Sequence, residues 1–319
     1  MTVTLARPLL TRPRHLVPGD RVGVLTVSSP ANLERLDVGL DTLRFAGLEP
    51  VLFPTARERA AAHPYLVGTD QLRAADLRAA LLYESLAAIL LACGGYGAQR
   101  TLEALDWTGL DAVTPKVIVG YSDVTAILEA VACRLGWTSL MGPMVAETEF
   151  AESYSFTSLF RFLTAPSTVD RLAFPDAVTL VGGSAEGTTF GGNLSLLARS
   201  IGTDTHWCPP RGIVLVEDVT EDDARIDVML TQLRRSGYFS EAAAVICGTF
   251  IECGERDRIQ EVLTDRLGDL GIPVIAWANL GHGGHVQTYP IGVRARLDAD
   301  ALVLHMLEPA LDEAVSVAL

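Results

Sequence analysis

Apolar positions fall along this chain in two rhythms, and their alternation predicts most of its elements. Short, almost wholly apolar runs at 21–27, 50–53, 86–92 and 116–119 read as buried strands. Between them, apolar residues recur three or four apart. The sets are Leu33, Leu36, Leu40 and Leu43; a second over 71–82; Leu102 and Leu105; and Ile127, Leu128, Val131 and Leu135. Each reads as a helix with one apolar face. Pro18-Gly19-Asp20 turns into the first strand and Gly47 stops the first helix. Strands alternating with helices predict a parallel sheet covered on both faces, with ligands bound beyond the carboxyl ends of the strands. The third run ends in Cys93-Gly94-Gly95-Tyr96-Gly97 and the fourth in Gly120-Tyr121-Ser122-Asp123, so both stretches belong to one edge.

The rhythm weakens from 147 to about 185, where a helix over 156–163 is followed by Pro166, Pro175 and Gly182-Gly183. A domain boundary is expected there: a first domain over 1–165, a linker over 166–185 and a second domain over 186–319. Beyond it, 187–197 turns from strand to helix, and 213–216 is a buried strand leading to Glu217-Asp218. A helix then starts near Thr220 and repeats Ile226, Met229, Leu230 and Leu233. Residues 243–246 and 272–275 read as further strands with a helix between them.

Composition narrows the classes. With 319 residues, 49% hydrophobic and 20% charged, the chain can bury a large core, and two domains are expected. A net charge of −14 argues against a sequence-independent grip on nucleic acid or an anionic membrane. Lys116 is the only lysine. The five cysteines (Cys93, Cys133, Cys208, Cys247, Cys253) form no C-x-x-C pair, which suggests free thiols in a reducing compartment. Residues 1–14 lack the apolar core of a secretory signal and no run is long enough to span a membrane, so a cytoplasmic protein is expected.

Candidate chemistry gathers at the ends of the strands. Ser122 sits where a strand turns into a helix, and there a hydroxyl can project toward the free N–H groups that stabilise an oxyanion. The stretch is close to the nucleophile elbow G-x-S-x-G, except that Val124 replaces the last glycine. Ser122 or Asp123 acting only as a helix cap is the plain alternative. Glu217 lies at the end of a buried strand, a place that suits a desolvated carboxylate and equally an ordinary loop start. His282 lies among glycines in Gly281-His282-Gly283-Gly284-His285, which fits a site histidine, a surface loop or half of a metal site. No carboxylate or cysteine stands at metal-ligand spacing from it. The loop from Gly94 to Gly97 could cradle a phosphate, but it lacks the lysine and full glycine pattern of known phosphate loops. Ser122, Glu217 and His282 together supply a nucleophile, an acid and a base. Spacing along the chain leaves open whether the three meet.

The whole chain resembles the LD-carboxypeptidase family of serine peptidases, which includes the microcin C immunity peptidases. The resemblance rests on blocks in family order: Pro18-Gly19-Asp20; Gly94-Gly95-Tyr96-Gly97; Gly120-Tyr121-Ser122-Asp123-Val124-Thr125-Ala126; and Gly142-Pro143-Met144. It continues through Gly191-Gly192-Asn193-Leu194, Glu217-Asp218-Val219, Arg225-Ile226-Asp227 and Gly281-His282, and ends at Pro290-Ile291-Gly292. It implies an α/β fold with a flavodoxin- or Rossmann-like N-terminal domain and a smaller α/β C-terminal domain carrying the acid and the base. The triad would lie at their junction. Ser122 would be the nucleophile, Glu217 the acid and His282 the base, with an oxyanion hole from the N–H of Asp123 and one from Gly94 or Gly95. Tyr96, Asn193 and Arg225 become candidate substrate contacts, and His285 a bystander. No metal or organic cofactor is implied; a homodimer is.

Four positions depart from the family pattern: Cys93 where arginine is common, Met141 for histidine, Ala224 for tyrosine and Val228 for arginine. A site for a free carboxylate normally supplies charge-assisted donors, and Arg100 or Arg225 could take over that role. The expected reaction is hydrolysis of an amide in a small peptide, by family default the L-to-D bond of a murein peptide. Other readings are an immunity or biosynthetic peptidase for a peptidyl-nucleotide antibiotic, a non-hydrolytic binding protein on the same fold, and an enzyme using Cys93 as nucleophile.

Overall fold

The computed structural model describes residues 10–59 and 63–313. The first half builds a sheet from β1 (Arg21–Leu25), β2 (Glu49–Leu52), β3 (Leu86–Leu91), β4 (Val117–Gly120) and β5 (Ser139–Met141). All five run parallel, in the spatial order β2-β1-β3-β4-β5. This is the flavodoxin-like order, with its switch point between β1 and β3. Helices α1 (Leu33–Phe45), α2 (Asp70–Leu82), α3 (Ala98–Ala104) and α4 (Thr125–Ala130) are the crossovers. Helical cover on both faces is why β3 and β4 are buried at every position and read as unbroken apolar runs. Local chemistry sets the helix starts. Asn32 and Thr69 accept the Arg35 and Leu72 amides as N-caps of α1 and α2.

After α5 (Thr148–Ala151) and α6 (Ser153–Thr164) a second, mixed sheet begins. Its strands are β6 (Arg171–Ala173), β7 (Val178–Val181), β8 (Ser184–Asn193), β9 (Gly212–Val219), β10 (Ala244–Ile251), β11 (Val274–Ala276), β13 (Arg294–Asp298) and β14 (Val303–Met306). They lie in the order β6-β14-β13-β8-β9-β10-β11-β7. Strands β6 and β7 come from the stretch read as a linker, and they form the two rims of this sheet. Helices α7 (Leu194–Ser200), α8 (Asp223–Arg235) and α9 (Arg256–Leu267) connect its parallel centre. Helix α8 starts later than its periodicity suggests because Asp222 caps it, and Thr220 instead takes a turn at φ +57°.

Strand β12 (Tyr289–Ile291) leaves the second half and pairs antiparallel with β5, closing the edge of the first sheet. The halves also meet where β8 ends against the start of α4: the Asn193 N–H donates to Thr125 Oγ1 at 3.1 Å. Gly192 permits that approach, since a Cβ there would stand 2.7 Å from the same oxygen. This seam brings the ends of β3, β4, β8 and β9 together.

Candidate active site

The turn after β4 is built around a strained residue. Gly120 has no room for a side chain, as a Cβ would lie 2.6 Å from Val124 Cγ1, and Tyr121 is extended. Ser122 then takes φ +60°, a left-handed conformation that costs a non-glycine residue free energy. Neither Ser122 nor Asp123 caps the helix through its side chain, so the plain alternative for this turn does not hold. The Asp123 carboxylate turns away and accepts from Ser28 Oγ (2.6 Å) and the Ala98 N–H (2.8 Å). It thereby ties the serine turn to the end of β1 and the start of α3.

The glycine loop after β3 lies directly against this turn. A Cβ on Gly94 would stand 3.0 Å from Ser122 Cβ and 3.1 Å from its Oγ, so a side chain there would push the two strand ends apart by a few tenths of an ångström. Gly95 is left-handed at φ +106° and packs on Ser29, whose Oγ accepts the Tyr96 N–H at 3.2 Å. Cys93 is not arranged as a nucleophile. Its Sγ donates to the Ser29 carbonyl at 3.1 Å, and burial pushes the thiol up to about 12, which keeps it protonated.

Glu217 and His282 do meet. Glu217 lies within β9, opposite Asn193 of β8, rather than past the strand's end, and is fully buried. Its Oε2 accepts from His282 Nδ1 at 2.7 Å and from the His282 N–H at 3.2 Å. Gly281 makes room for the pair: it is at φ +106°, and a Cβ would come within 2.4 Å of Glu217 Oε2. With Nδ1–H bonded to the carboxylate, Nε2 keeps its lone pair and can accept a proton. The imidazole packs on Tyr121, the residue before Ser122, with ring centroids 4.9 Å apart. Burial lowers the affinity of His282 for a proton, but the charge and hydrogen bond of Glu217, with Glu147 and Asp218 behind, outweigh it, so the group sits above its ordinary value. His285 lies on the surface and pairs with Glu152 at 2.6 Å.

A cavity of about 260 Å³ opens in front of Ser122. Of the expected contacts, Tyr96 is half exposed on its wall. Asn193 also lines it, yet its amide is committed: Nδ2 donates to Asp218 Oδ1 (2.9 Å) and Oδ1 accepts from Ser195 Oγ (2.8 Å). Arg225 lies outside this cavity, in the neighbouring cleft, bonded to Glu221 at 3.2 Å. Arg100 is held by Asp70 at 2.7 Å. Sequence reasoning assigned no role to Arg199, Asp218 and Glu221, which line the cavity, or to the buried carboxyl of Glu147, which faces Gly94 and Tyr121. Burial raises Asp218 to about 6 and Glu147 to about 7, although backbone or side-chain donors face each of them. Nothing in its local sequence marks Glu147, and Asp218 stood out only as the neighbour of Glu217. Among the described residues, a larger cleft of about 500 Å³ between Leu10, Ala132 and Trp207 is lined by no carboxylate, imidazole or cation.

Comparison with known proteins bears on the whole chain. Residues 22–142 match the LD-carboxypeptidase N-terminal domain and residues 186–297 the LD-carboxypeptidase C-terminal domain. A Streptomyces coelicolor protein, named only provisionally as a carboxypeptidase, is 45% identical over 95% of this chain and 98% of its own. A Bacillus subtilis protein named a probable murein peptide carboxypeptidase is 31% identical over 90% of this chain and 91% of its own. The microcin C7 self-immunity protein MccF of Escherichia coli is 26% identical over 92% and 94%. A solved structure of MccF in complex with glutamyl sulfamoyl guanosine shares the fold at a TM-score of 0.84, with 23% identity and coverage of 96% of this chain and 100% of that one. Matched in both halves and along nearly its whole length, the chain belongs to the LD-carboxypeptidase family.

Proposed function

We propose that this protein is a serine peptidase that hydrolyses an amide bond in a small peptide, with Ser122 as nucleophile, His282 as general base and Glu217 as the acid that orients it. The observation that carries the reading is the 2.7 Å bond between His282 and Glu217, buried against Tyr121 beside a serine held at φ +60°. His282 Nε2 takes the Ser122 proton as Oγ attacks the carbonyl carbon. Glu217 stabilises the resulting imidazolium. The proton then passes to the leaving amine, and water, activated by the same imidazole, releases the acyl group from Ser122. The Asp123 N–H, in the first turn of the helix, is one oxyanion donor. The Gly94 N–H faces the Glu147 carboxyl, which favours Gly95 as the other.

The family default makes the substrate a murein peptide, cleaved at its L-to-D bond. Likeness to MccF favours one other reading, an aminoacyl- or peptidyl-nucleotide. Intact-mass labelling with a serine-directed phosphonate tests the reaction class. One adduct, mapped to Ser122 and absent from Ser122→Ala, is expected, together with a loss of several orders of magnitude in hydrolysis. An adduct on Cys93, or hydrolysis unaffected in Ser122→Ala, contradicts the proposal. Profiling a murein tetrapeptide against an aminoacyl-adenylate mimic separates the substrates.

A further inference from the structure

His282 sits on a loop with little stiffness of its own. Gly283 and Gly284 follow it, and a Cβ on Gly284 would meet nothing within 4 Å. The incoming limb is held by the second sheet. Thr249 Oγ1 of β10 donates to the Leu280 carbonyl at 3.1 Å and to the His282 carbonyl at 2.7 Å, and Glu217 of β9 accepts from His282. Ser122 belongs to the first sheet, so these contacts do not tie the imidazole to the half that carries the serine.

The outgoing limb supplies that tie. Glu152, Ser155 and Ser158 stand three residues apart at the start of α6, a spacing that puts them on one face of the helix. They accept three backbone donors in turn. The His285 N–H reaches Glu152 Oε2 at 3.2 Å, the Val286 N–H reaches Ser155 Oγ at 3.2 Å and the Thr288 N–H reaches Ser158 Oγ at 2.9 Å. The Gln287 N–H turns back to the Asn279 carbonyl at 2.9 Å. Helix α6 is rooted in the first half, where the Leu16 N–H, ahead of β1, donates to the Leu163 carbonyl at 2.6 Å. Glu152 uses both its oxygens: Oε1 pairs with His285 Nδ1 at 2.6 Å, and Oε2 also accepts the Ser155 hydroxyl at 2.8 Å. His285 itself is at φ +59°, a left-handed conformation that favours glycine, yet a side chain stands there next to two glycines. Such strain persists where the surroundings over-determine it. Here the imidazole meets Glu152 and the Tyr154 ring, with ring centroids 5.8 Å apart.

We propose that Glu152 is a positioning residue for His282: with His285 it clamps the far end of the glycine loop to the half that carries Ser122, and so sets the imidazole against the serine. The inference rests on the serine-peptidase reading above and gives His285, a bystander by the family resemblance, a part in it. Glu152 lies outside the cavity in front of Ser122. It acts through the loop and takes no part in proton transfer.

Saturation kinetics of phosphonate labelling at Ser122, on the full-length protein, test this whatever the natural substrate is. They separate the limiting rate, which needs an aligned base, from the half-saturating concentration, which does not. In Glu152→Ala and in His285→Ala the limiting rate is expected to fall about 10- to 100-fold, with half-saturation moving less than about twofold. Labelling still runs to one adduct per chain, which shows that the slowed molecules are folded, and the thermal midpoint moves little because the pair is exposed. The double variant is no slower than the slower single one, since both substitutions open the same clamp. Glu152→Gln, which keeps an oxygen for the His285 N–H and for Ser155, recovers part of the rate. An unchanged limiting rate in Glu152→Ala, or a double variant whose loss is the product of the two single losses, overturns the proposal. Failure to label Ser122 in wild type would instead strike the serine-peptidase reading itself.

Discussion

His282 carries more negative charge around it than a single partner supplies. Glu217 bonds it directly, while Glu147 and Asp218 raise it from further away. Glu147 is itself faced by the Tyr121 hydroxyl, the Gly94 N–H, Glu149 and His282, and burial raises it from 4.5 to about 7. As the proposed base His282 must be neutral, so kcat/KM should fall with decreasing pH through a value above the ordinary 6.5 of histidine. Removing one of the supporting charges in Glu147→Gln should move that acid limb to lower pH; a limb that stays in place would exclude the coupling. Stability follows the same groups. A folded-state value raised above the unfolded one contributes stability below the unfolded value and loses it as pH rises through the folded one. For Glu147 that window runs from 4.5 to about 7, and for His282 it lies above 6.5. The thermal midpoint should therefore decline as pH rises from 4.5 through about 7, and less steeply in Glu147→Gln.

At the scale of elements, each site group is held by a glycine that lets two segments approach. Gly94 brings the β3 loop onto Ser122, Gly192 brings β8 onto α4, and Gly281 seats the His282 loop on Glu217. Gly281 is the most exacting, since both its φ of +106° and the 2.4 Å clearance to Glu217 Oε2 exclude a side chain. Gly281→Ala should cost about 2–4 kcal/mol, combining left-handed strain with displacement of a buried carboxylate from its partner. Hydrolysis should fall at least about 100-fold, because a misplaced base of even about 1 Å loses that much. Urea denaturation and kcat measurements would check both, and a near-neutral Gly281→Ala would mean that the loop adapts. These glycines stood out in the sequence as motif residues. What each must avoid is a group far away in the chain, so its reason was illegible there. Short strands were equally silent: β5 and β12 have three residues each, too few for a period to register.

At the scale of the molecule, the two sheets are not separable units. Strand β12 crosses back to complete the first sheet, and the buried Tyr289 hydroxyl in it donates to the Ile213 carbonyl of the second sheet at 2.9 Å. Thr125 and Asn193 join the halves again beside the site. Unfolding one half would strip a strand from the other, so calorimetry should show one cooperative transition, with calorimetric and van't Hoff enthalpies agreeing. Two resolved transitions would contradict this coupling. The sequence by itself determined the alternation of strand and helix, because buried parallel strands and amphipathic helices impose periods that local composition reveals. It also presented Ser122, Glu217 and His282 as the residues to watch, through a turn, a strand end and a glycine-rich loop. Only the tertiary structure decided that Glu217 bonds His282, 65 residues on in the chain. It likewise gave Arg100 and Arg225 their carboxylate partners, Asp70 and Glu221. Pairing and desolvation depend on distances between segments that chain spacing does not encode, and the junction of the two sheets is where those distances are set.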